Sequence, residues 1–277
     1  MSFHEVIIKG GLGNQIFCLF YAYKLSLKYD EKICLNLANY LFFSNKIRAF
    51  IIDLLYPPIV NEFKLSTNLI SRILYLLIRF IEKFFIKENN NLIPGDNPFC
   101  LNYWKKKYIH SGYFQKIGES ELDNKCLALI KEKFIPYIKN RQYNYLAIHI
   151  RRGDYLYKKH SNHGIINEKY FLKEAMKLLS EDHYDGIKIF SDSPDLVEKS
   201  IFKDLHENIV FDKGGNPVEV FKRMANHKGL IASNSSFSLW AGILGDIKNF
   251  SIPFYWMKNV KSSMLGLRYI KRYKCYF

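Results

Sequence analysis

The second half of the chain alternates short apolar runs with amphipathic stretches, and this order strongly restricts the fold. Each apolar run has the length of a buried strand, and a stretch of helical periodicity follows it. Strands that are connected through helices form a parallel sheet with helices on both faces. We predict a doubly wound α/β unit with strands at 145–150, 187–191, 208–211 and 229–232 and helices at 168–179, 194–202, 217–226 and 237–244.

The first half begins with the same strand, loop and helix order. A glycine-rich turn at 9–15, KGGLGNQ, connects a strand at 3–8 to a helix at 16–29. Glycines there permit a close backbone approach to a ligand, and the helix start offers free amides to an anion. Further strands are predicted at 32–37 and 108–115, an exposed loop at 87–98 and a helix at 119–133. We place the boundary between the halves at 136–144, which gives domains 1–140 and 141–250 and a C-terminal segment 251–277.

The strand at 145–150 ends abruptly in polar residues, HIRRGDY, which include His149 and Asp154. Ligands of open parallel sheets lie beyond the carboxyl ends of the strands, and a guanidinium binds phosphate oxygens in pairs. Alternation along the strand sends His149 and Arg151 to one side and Arg152 to the other. We predict that Arg151 binds a phosphate-bearing ligand and that Arg152 forms a structural ion pair. An ordinary charged surface turn is the alternative.

Two further strand ends carry polar side chains. Asp192 follows the second strand of this half, and its carboxylate could accept two hydrogen bonds from the edge of a guanine. Ser235 and Ser236 follow the last strand and precede an apolar helix near Phe237, whose N-terminal amides suit a phosphate. Ordinary helix caps would give the same sequence, so this hypothesis depends on the strand ends converging.

The net charge points to a polyanionic partner. The chain has 41 lysines and arginines against 26 acidic residues, a formal charge of +15. Phosphate-rich ligands, nucleic acid and anionic membranes all suit such a charge. Because no helix-turn-helix, zinc or RNP-like pattern accompanies it, a nucleic-acid-binding protein is only a remote alternative.

The cysteines and the N-terminus indicate a reducing compartment. Five cysteines without a CxxC pair argue against a disulfide framework and against a structural zinc site. The N-terminus lacks the pattern of a signal peptide. We therefore predict a cytoplasmic location.

Two segments are candidates for membrane contact. The amphipathic helix predicted at 69–86 is interrupted by charges before it could span a bilayer, and we expect its apolar face to pack on the core rather than on a membrane. The segment 251–277 interleaves basic and aromatic residues, which suits peripheral contact with the inner face of the cytoplasmic membrane. Packing of this segment on the first domain is the alternative.

Five motifs occur in an order that resembles a known family. They are GGLGNQIF near the start, GYFQ at 112–115, HIRRGDY at 149–155, FSDS at 190–193 and HKGLIASNSSFSLWAGIL at 227–244. Together they resemble the soluble bacterial α-1,2-fucosyltransferases of glycosyltransferase family 11. The resemblance implies a variant GT-B fold, in which two Rossmann-like domains face a cleft, with the donor in the second domain and the acceptor on the side of the first.

Roles are carried over position by position from this resemblance. It implies that Arg151 holds the β-phosphate of GDP-fucose, that His149 lies beside the nucleotide and that Asp192 reads the guanine. It further assigns donor contacts to two short segments, Ser235, Ser236 and Phe237 in one and Gly11, Leu12 and Asn14 in the other. We expect neither a metal nor a cofactor, since no DxD pair occurs and arginine, serine and amide donors can replace a cation.

The implied reaction is transfer of L-fucose from GDP-β-L-fucose to the 2-hydroxyl of a β-galactoside, with inversion. The acceptor would be a galactose-terminated oligosaccharide or a surface polysaccharide such as an O-antigen. Asp154 is a candidate base for the acceptor hydroxyl. The alternative within the same class is an α-1,6-type or protein-directed fucosyltransferase.

Overall fold

A computed structural model of the chain describes residues 3–42, 49–85, 99–104, 106–139, 142–156, 163–258, 260–261 and 271–273. The whole loop predicted at 87–98, and most of the basic segment beyond residue 261, lie outside the described residues. The chain divides into two compact units, Met1–Ile130 and Lys131–Phe277.

In the residues that the structure describes, the first unit contains five strands, five helices and the beginning of a sixth helix. Its elements in chain order are β1 (Phe3–Ile7), α1 (Leu12–Tyr29), β2 (Cys34–Asn36), α2 (Ala38–Phe42), α3 (Ile52–Leu55), α4 (Ile59–Glu62), β3 (Lys64–Ser66), α5 (Leu69–Phe85), β4 (Phe99–Trp104), β5 (Lys107–Ser111) and the start of α6 (Glu121–Ile138).

The second unit alternates strands with helices. Its elements are β6 (Tyr143–Ile150), α7 (Glu168–Glu181), β7 (Gly186–Ser191), β8 (Ile209–Phe211), α8 (Pro217–Ala225), β9 (His227–Ile231), α9 (Ser236–Leu244), β10 (Asn249–Pro253), β11 (Tyr255–Met257), β12 (Val260–Lys261) and β13 (Lys271–Tyr273). The predicted α/β class with two Rossmann-like units is confirmed.

The sheet of the first unit has the order β3-β2-β1-β5-β4. Its pairs are parallel except that β4 runs antiparallel to β5. The chain moves outward from β1 through β2 to β3 and then returns to place β5 on the other side of β1. A topological switch point therefore lies between β1 and β5, at the carboxyl end of β1, where the glycine-rich turn begins.

The sheet of the second unit has the order β13-β10-β9-β6-β7-β8, and all of its recorded pairs are parallel. After β6 the chain builds β7 and β8 on one side and then crosses over to β9 on the other. The switch point lies between β6 and β9, and the HIRRGDY motif leaves the sheet there. The core beneath it includes Leu146, Ile148, Phe171, Ile187 and Ile189, all fully buried.

Several element boundaries differ from the predictions. The helix expected at 194–202 is replaced by two short 3-10 turns, Pro194–Leu196 and Lys199–Phe202. The four apolar residues of that stretch, Leu196, Val197, Ile201 and Phe202, would spread over about two thirds of a helix circumference rather than form one apolar face, so a continuous helix would not bury them together. Helix α1 starts at Leu12 rather than at residue 16, and α6 continues through Pro136 to Ile138 rather than ending at residue 133.

Helix α5 packs on the first sheet with only part of its apolar surface. Leu74, Tyr75 and Ile78 are buried against Ile7 and Ile109. The expectation that its apolar face packs on the core is wrong for six large side chains, which remain exposed: Leu69, Ile70, Ile73, Leu76, Leu77 and Phe80. The helix is apolar on two sides, and the sheet covers only one of them. Within the described ranges no helix has the length and apolar content needed to cross a bilayer.

The segment after residue 250 contributes strands to the second sheet. Strand β13 pairs in parallel with β10, and Ser251 lies opposite Lys271. Part of this segment is therefore integrated into the sheet of the second unit. The remaining basic and aromatic residues between 262 and 270 and after 273 lie outside the described residues, and their membrane contact stays a prediction.

Candidate active site

Three strands of the second sheet end at one edge and bring their polar residues together. Ile150 at the end of β6 lies opposite Ser191 at the end of β7, and Ile148 lies opposite Ile231 at the end of β9. The residues that follow these strands therefore emerge side by side. This arrangement confirms the expected convergence of strand ends and locates the candidate site at the switch point of the second sheet.

Arg151 is held by two carboxylates in this site. Its Nη2 lies 2.7 Å from Asp154 Oδ1 and its Nη1 lies 2.9 Å from Asp192 Oδ2. The guanidinium also lies 5.6 Å from the centre of the Tyr155 ring. Burial acts to lower the pKa of Arg151, but the two carboxylates outweigh it and raise that pKa. Arg151 is therefore a permanent cation in a fixed orientation, and it remains partly exposed to an incoming anion.

Asp192 occupies space that only a glycine at position 153 leaves open. A Cβ on Gly153 would lie 1.9 Å from Asp192 Oδ2. The other oxygen, Oδ1, accepts a hydrogen bond from the backbone N–H of Arg152 at 2.9 Å. The glycine of HIRRGDY thus lets the strand end of β6 approach the carboxylate that follows β7. A carboxylate has about four lone-pair sites, so both oxygens of Asp192 retain acceptor capacity for a ligand.

Arg152 points away from this cation and forms the predicted ion pair. Its side chain is buried, contacts Glu168 through Nη2, and donates from Nη1 to the carbonyl of Arg151 at 3.1 Å. Glu168 lies in the first turn of α7, after Asn167, whose side chain caps the helix. The pair therefore attaches α7 to the strand end that carries Arg151. Sequence reasoning missed Glu168, because a carboxylate in a first helical turn usually reflects the helix dipole.

Replacing Arg152 with methionine is expected to lower the free energy of unfolding by about 3 kcal/mol, because it leaves the Glu168 carboxylate without its buried partner. Urea denaturation monitored by circular dichroism measures this loss. The more conservative Glu168→Gln should lose less, since the amide oxygen still accepts from the guanidinium. A methionine variant with an unchanged denaturation midpoint would show that the pair does not support the fold.

His149 is buried beside the phosphate-binding candidates. Its Nδ1 lies 2.9 Å from Ser233 Oγ, and its ring centre lies 6.1 Å from that of Phe237. Burial, followed by the charge of Arg151, lowers the pKa of His149 to about 3. The imidazole is therefore neutral near pH 7, and it suits hydrogen bonding better than accepting a proton from a substrate.

Two other buried histidines share this property. Burial lowers the pKa of His110 and that of His227 to about 4, against about 6.5 in an unfolded chain. Because protonation favours the unfolded state, stability is complete above pH 6.5 and declines as the pH falls from about 6.5 toward 4. Each such histidine contributes a slope of up to about 1.4 kcal/mol per pH unit.

We expect the free energy of unfolding to be nearly flat above neutrality and to fall steeply across that acid range. Urea titrations at several pH values measure the slope. His110→Gln should remove the contribution of one protonated group to this slope, whatever the effect of the substitution on stability at neutral pH. A profile that stays flat down to about pH 4.5 would contradict the neutral state of these histidines.

The turn before α9 presents hydroxyl groups and a helix start. Ser235 is the N-cap residue, yet its side chain makes no capping hydrogen bond. Ser236 begins the helix, and Phe237 packs edge-on against Phe221 at a centroid distance of 5.4 Å. The first amides of a helix lack intrahelical partners, so the start of α9 is suited to an anion. The hydroxyl of Ser235 is not committed to the cap.

Two residues beside these were not singled out from the sequence. Asn234 is buried and donates from Nδ2 to the carbonyls of His163, Gly164 and Trp256 at 2.7, 3.3 and 3.2 Å. The Tyr155 hydroxyl donates to the carbonyl of Asn234 at 2.8 Å. Asn234 therefore ties the serine turn to two other segments, and Tyr155 ties it to the HIRRGDY motif. The only signal in the sequence was that Asn234 lies in the motif at 227–244 and that Tyr155 ends HIRRGDY.

The glycine-rich turn of the first unit is fixed by side chains from its own unit. Gly10 has a φ of 81°, and Gly11 is the N-cap of α1. Gln15 is fully buried; it donates to the carbonyl of Ala49 at 2.7 Å and accepts from the amides of Ile51 and Ile52, both at 3.1 Å. Its role is therefore structural.

The candidate donor contacts of this turn lie at the start of α1. Leu12 is its first residue, and the Asn14 side chain accepts from Gln115 Nε2 at 3.2 Å. A Cβ on Gly11 would meet no atom within 4 Å. The turn thus offers helix-start amides and open space beside them, as an anion-binding loop requires.

In the parts of the chain that the structure describes, no three or more His, Cys, Asp or Glu side chains are grouped so that they could hold a metal ion. The four described cysteines are free thiols, and three of them, Cys18, Cys34 and Cys126, are buried. The cationic group at the candidate site is Arg151.

A guanidinium, a helix start and hydroxyl groups at the switch point of a parallel sheet define an α/β protein whose site suits a phosphate-bearing ligand. The model of glycosyl transferase family 11 matches residues 4–259. The chain belongs to glycosyltransferase family 11, as its motifs predicted.

The chain is similar to an alpha-1,2-colitosyltransferase of Escherichia coli, with 26% identity over 282 residues that cover 91% of this chain and 90% of the relative. Among solved structures it is similar to the E. coli heptosyltransferase WaaC with ADP, with a TM-score of 0.49 and 10% identity over 98% of this chain and 92% of that one. A second similar structure is the NodZ alpha-1,6-fucosyltransferase co-crystallized with GDP, with a TM-score of 0.44 and 11% identity over 88% and 93%.

Proposed function

We propose that this glycosyltransferase moves L-fucose from GDP-β-L-fucose to the 2-hydroxyl of a β-galactoside and inverts the anomeric configuration. The observation that carries the proposal is the position of Arg151, a fixed guanidinium at the switch point of the second sheet, beside Asp192 and the start of α9. Arg151 is a suitable partner for a phosphate, and Asp192 is a suitable partner for a guanine.

The chemistry requires stabilisation of a departing diphosphate. In a single displacement, the acceptor oxygen bonds to C1 of the sugar while the bond from C1 to the β-phosphate oxygen breaks, and the leaving GDP gains negative charge. Arg151, the amides at the start of α9 and the hydroxyl of Ser235 are the groups that would bind this charge. Because they are held in place before the reaction, they need little reorganisation.

The proton of the acceptor hydroxyl needs a base. Asp154 is the candidate, since its carboxylate lies within the site and is oriented by Arg151 at 2.7 Å. His149 is a poor proton acceptor near neutral pH, because burial lowers its pKa to about 3. We therefore assign His149 to hydrogen bonding beside the nucleotide and Asp154 to proton transfer.

Two parts of the chain would recognise the donor. Asp192 would accept hydrogen bonds from the guanine, and the amides of the glycine-rich turn, at Gly11, Leu12 and Asn14, would bind phosphate oxygens. Asp192 Oδ2 faces Arg151 Nη1 at 2.9 Å. A phosphate bound to Arg151 would compete with Asp192 for the guanidinium, while Asp154 at 2.7 Å would keep it oriented.

A second candidate donor is GDP-colitose. It is favoured by the similarity to an alpha-1,2-colitosyltransferase across 91% of the chain. Colitose is the 3-deoxy form of L-fucose, so the two donors differ by one hydroxyl group. A site that hydrogen-bonds this hydroxyl discriminates strongly against the deoxy sugar, whereas an apolar site discriminates weakly.

Product analysis tests the proposal. The purified protein is incubated with GDP-fucose or GDP-colitose and a panel of β-galactosides, and NMR of the product identifies the linkage. An α-1,2-fucosyl product formed at the higher kcat/KM supports the proposal, and a preference for GDP-colitose replaces the donor assignment. An α-1,6 linkage, or transfer only to a protein, would instead establish the alternative acceptor classes.

Activity is expected to survive EDTA, because Arg151, helix-start amides and serine hydroxyls supply the charge stabilisation that a divalent cation supplies in other nucleotide-sugar enzymes. Initial rates with and without chelator measure this. Complete loss of activity that Mn²⁺ restores would show that the phosphate site has been misassigned. GDP protection against thermal unfolding, with no protection by RNA, separates the enzyme from the remote nucleic-acid alternative.

A further inference from the structure

Helix α5 carries a continuous row of exposed apolar side chains on the first unit. Leu69 is 71% exposed, Ile70 63%, Ile73 56%, Leu76 44%, Leu77 46% and Phe80 56%. We call these six side chains the α5 apolar face. They recur three and four residues apart, so they lie on one side of the helix over about three turns. Exposed apolar rows of this length mark interaction surfaces.

The opposite side of α5 is fixed, so the helix cannot roll to bury this face. Tyr75 is 1% exposed, and its hydroxyl donates to Asn39 Oδ1 at 2.8 Å. Ser71 is buried, donates to Glu5 Oε1 at 2.5 Å, and its carbonyl accepts from Asn36 Nδ2 at 3.1 Å. Rotation would break these buried hydrogen bonds and expose Tyr75 and Ile78. The orientation of the α5 apolar face on the unit is therefore fixed.

Helix α2 carries two further exposed apolar side chains, of which Phe42 contacts the side of α5 opposite the α5 apolar face. Phe42 is 44% exposed, and its ring stacks on that of Tyr75 with centroids 6.3 Å apart. Leu41, its neighbour in the chain, is 47% exposed. Apolar exposure is thus shared between two adjacent helices rather than confined to a single ridge.

The charges around this surface are mostly basic. Residues 63–85 contain four basic residues, Lys64, Arg72, Arg79 and Lys83, against one acidic residue, Glu82. Arg72 and Arg79 are two helical turns apart, so they share one edge of the helix, next to the α5 apolar face. Long basic side chains at the edge of an apolar helix face can reach phosphates while the apolar residues enter the acyl region.

From this geometry we infer that α5 lies in the surface of an anionic lipid bilayer, with the α5 apolar face among the upper acyl segments and Arg72 and Arg79 at the level of the phosphates. The charge favours lipid over a second copy of this chain. A partner copy would bring the same formal charge of +15 to a basic surface, whereas an anionic bilayer offers opposite charge and an apolar layer together. This inference does not depend on the sugar donor or acceptor.

Vesicle sedimentation tests the inference with the full chain. Wild-type protein at low salt should sediment with phosphatidylcholine vesicles that contain phosphatidylglycerol, and much less with vesicles of pure phosphatidylcholine. The double variant Ile73→Gln/Phe80→Gln should lower the partition coefficient on the mixed vesicles by about a hundredfold, since it removes two apolar side chains from the inserted face. Both positions are exposed, so thermal unfolding should match that of the wild type.

A matched control changes two apolar side chains of similar exposure elsewhere. Leu54→Gln/Met176→Gln alters residues that are 57% and 59% exposed and lie outside α5. This control should sediment like the wild type. If it loses as much binding as the α5 variant, general surface hydrophobicity explains the effect and the assignment to α5 is wrong.

The arginines give an independent arm of the test. Each basic residue near an anionic leaflet strengthens binding by about fivefold, so Arg72→Gln/Arg79→Gln should weaken binding to the mixed vesicles by about twenty-five-fold and leave the weak binding to neutral vesicles unchanged. Equal binding by the wild type and both α5 variants would overturn the inference and direct attention to the basic C-terminal segment. Absence of vesicle binding, with self-association that Ile73→Gln/Phe80→Gln abolishes, would identify the face as a dimer interface instead.

Turnover on a free, water-soluble galactoside separates this inference from the proposed function. The α5 variants should keep wild-type rates with such an acceptor, because α5 carries none of the groups assigned to the donor. Loss of vesicle binding without loss of turnover therefore concerns membrane association alone. Absence of turnover in the wild type would count against the proposed function and would leave the inference about membrane association unchanged.

Discussion

Replacing Arg151 with lysine is expected to lower turnover by a factor of about one hundred or more while the protein remains folded. Lysine keeps the charge but loses the planar fork that binds two phosphate oxygens, and the loss of such a contact to a departing anion costs on the order of 3 kcal/mol. Lysine also cannot hold Asp154 and Asp192 together, as the two guanidinium nitrogens do at 2.7 and 2.9 Å. Steady-state rates with saturating donor measure the effect.

The control for this variant is Arg223→Lys in the same unit. Arg223 binds Asp212 through Nε and Nη2 at 2.9 and 2.7 Å, so it has a comparable geometry outside the candidate site. Its replacement should affect stability more than turnover. If Arg151→Lys retains turnover within tenfold of the wild type, the assignment of Arg151 to the phosphate is wrong.

Gly153→Ala is expected to reduce kcat/KM for the donor by about ten- to hundredfold with little change in thermal stability. The new methyl group would lie 1.9 Å from Asp192 Oδ2, so the carboxylate must leave its position. The atom that moves is the end of a side chain rather than backbone, and for this reason the fold tolerates the change. A lost charge-assisted hydrogen bond to the guanine costs about 1.5 to 3 kcal/mol, which sets the expected range.

A double-mutant cycle separates this steric effect from other consequences of the added methyl group. In an Asp192→Ala background the Cβ at position 153 has no carboxylate to displace, so Gly153→Ala should cause almost no further loss. Additive losses would show that Gly153 acts independently of Asp192. An inactive Asp192→Ala protein that still binds GDP with wild-type affinity would remove Asp192 from guanine recognition.

Local sequence was sufficient to locate three central strands of the second sheet and the polar residues at their ends. The apolar runs at β6, β7 and β9 have the length and composition of buried parallel strands, and each is followed by side chains of types that could bind an anion or a base. The ion pair of Arg152 followed from strand alternation, because the side chain next to Arg151 must point to the other side. These inferences use only neighbours in sequence, which is why they succeeded.

The order of the strands in the second sheet decided which residues meet at the site, and the sequence had left this open. That β6 lies between β9 and β7, and so brings Arg151 and Asp192 to one point, depends on contacts between residues 40 or more positions apart. The partner of Arg152 was missed for a related reason, since Glu168 is brought to it by the packing of α7. Short-range patterns carry no information on which distant strand or helix becomes the neighbour.

Helix α5 shows the same division between sequence and structure. Its amphipathic pattern was evident from the sequence, but a helix with apolar residues on two sides has two ways to pack on a sheet. The buried hydrogen bonds of Ser71 and Tyr75 select one of them and leave the α5 apolar face outside. The sequence by itself determined the strands β6, β7 and β9 and the helices α7, α8 and α9, and it indicated which residues could bind a phosphate. The tertiary structure decided which of these residues meet and which apolar surface stays exposed. Both depend on contacts between residues that are far apart in the sequence, and buried polar groups restrict these contacts because each group needs a hydrogen-bond partner.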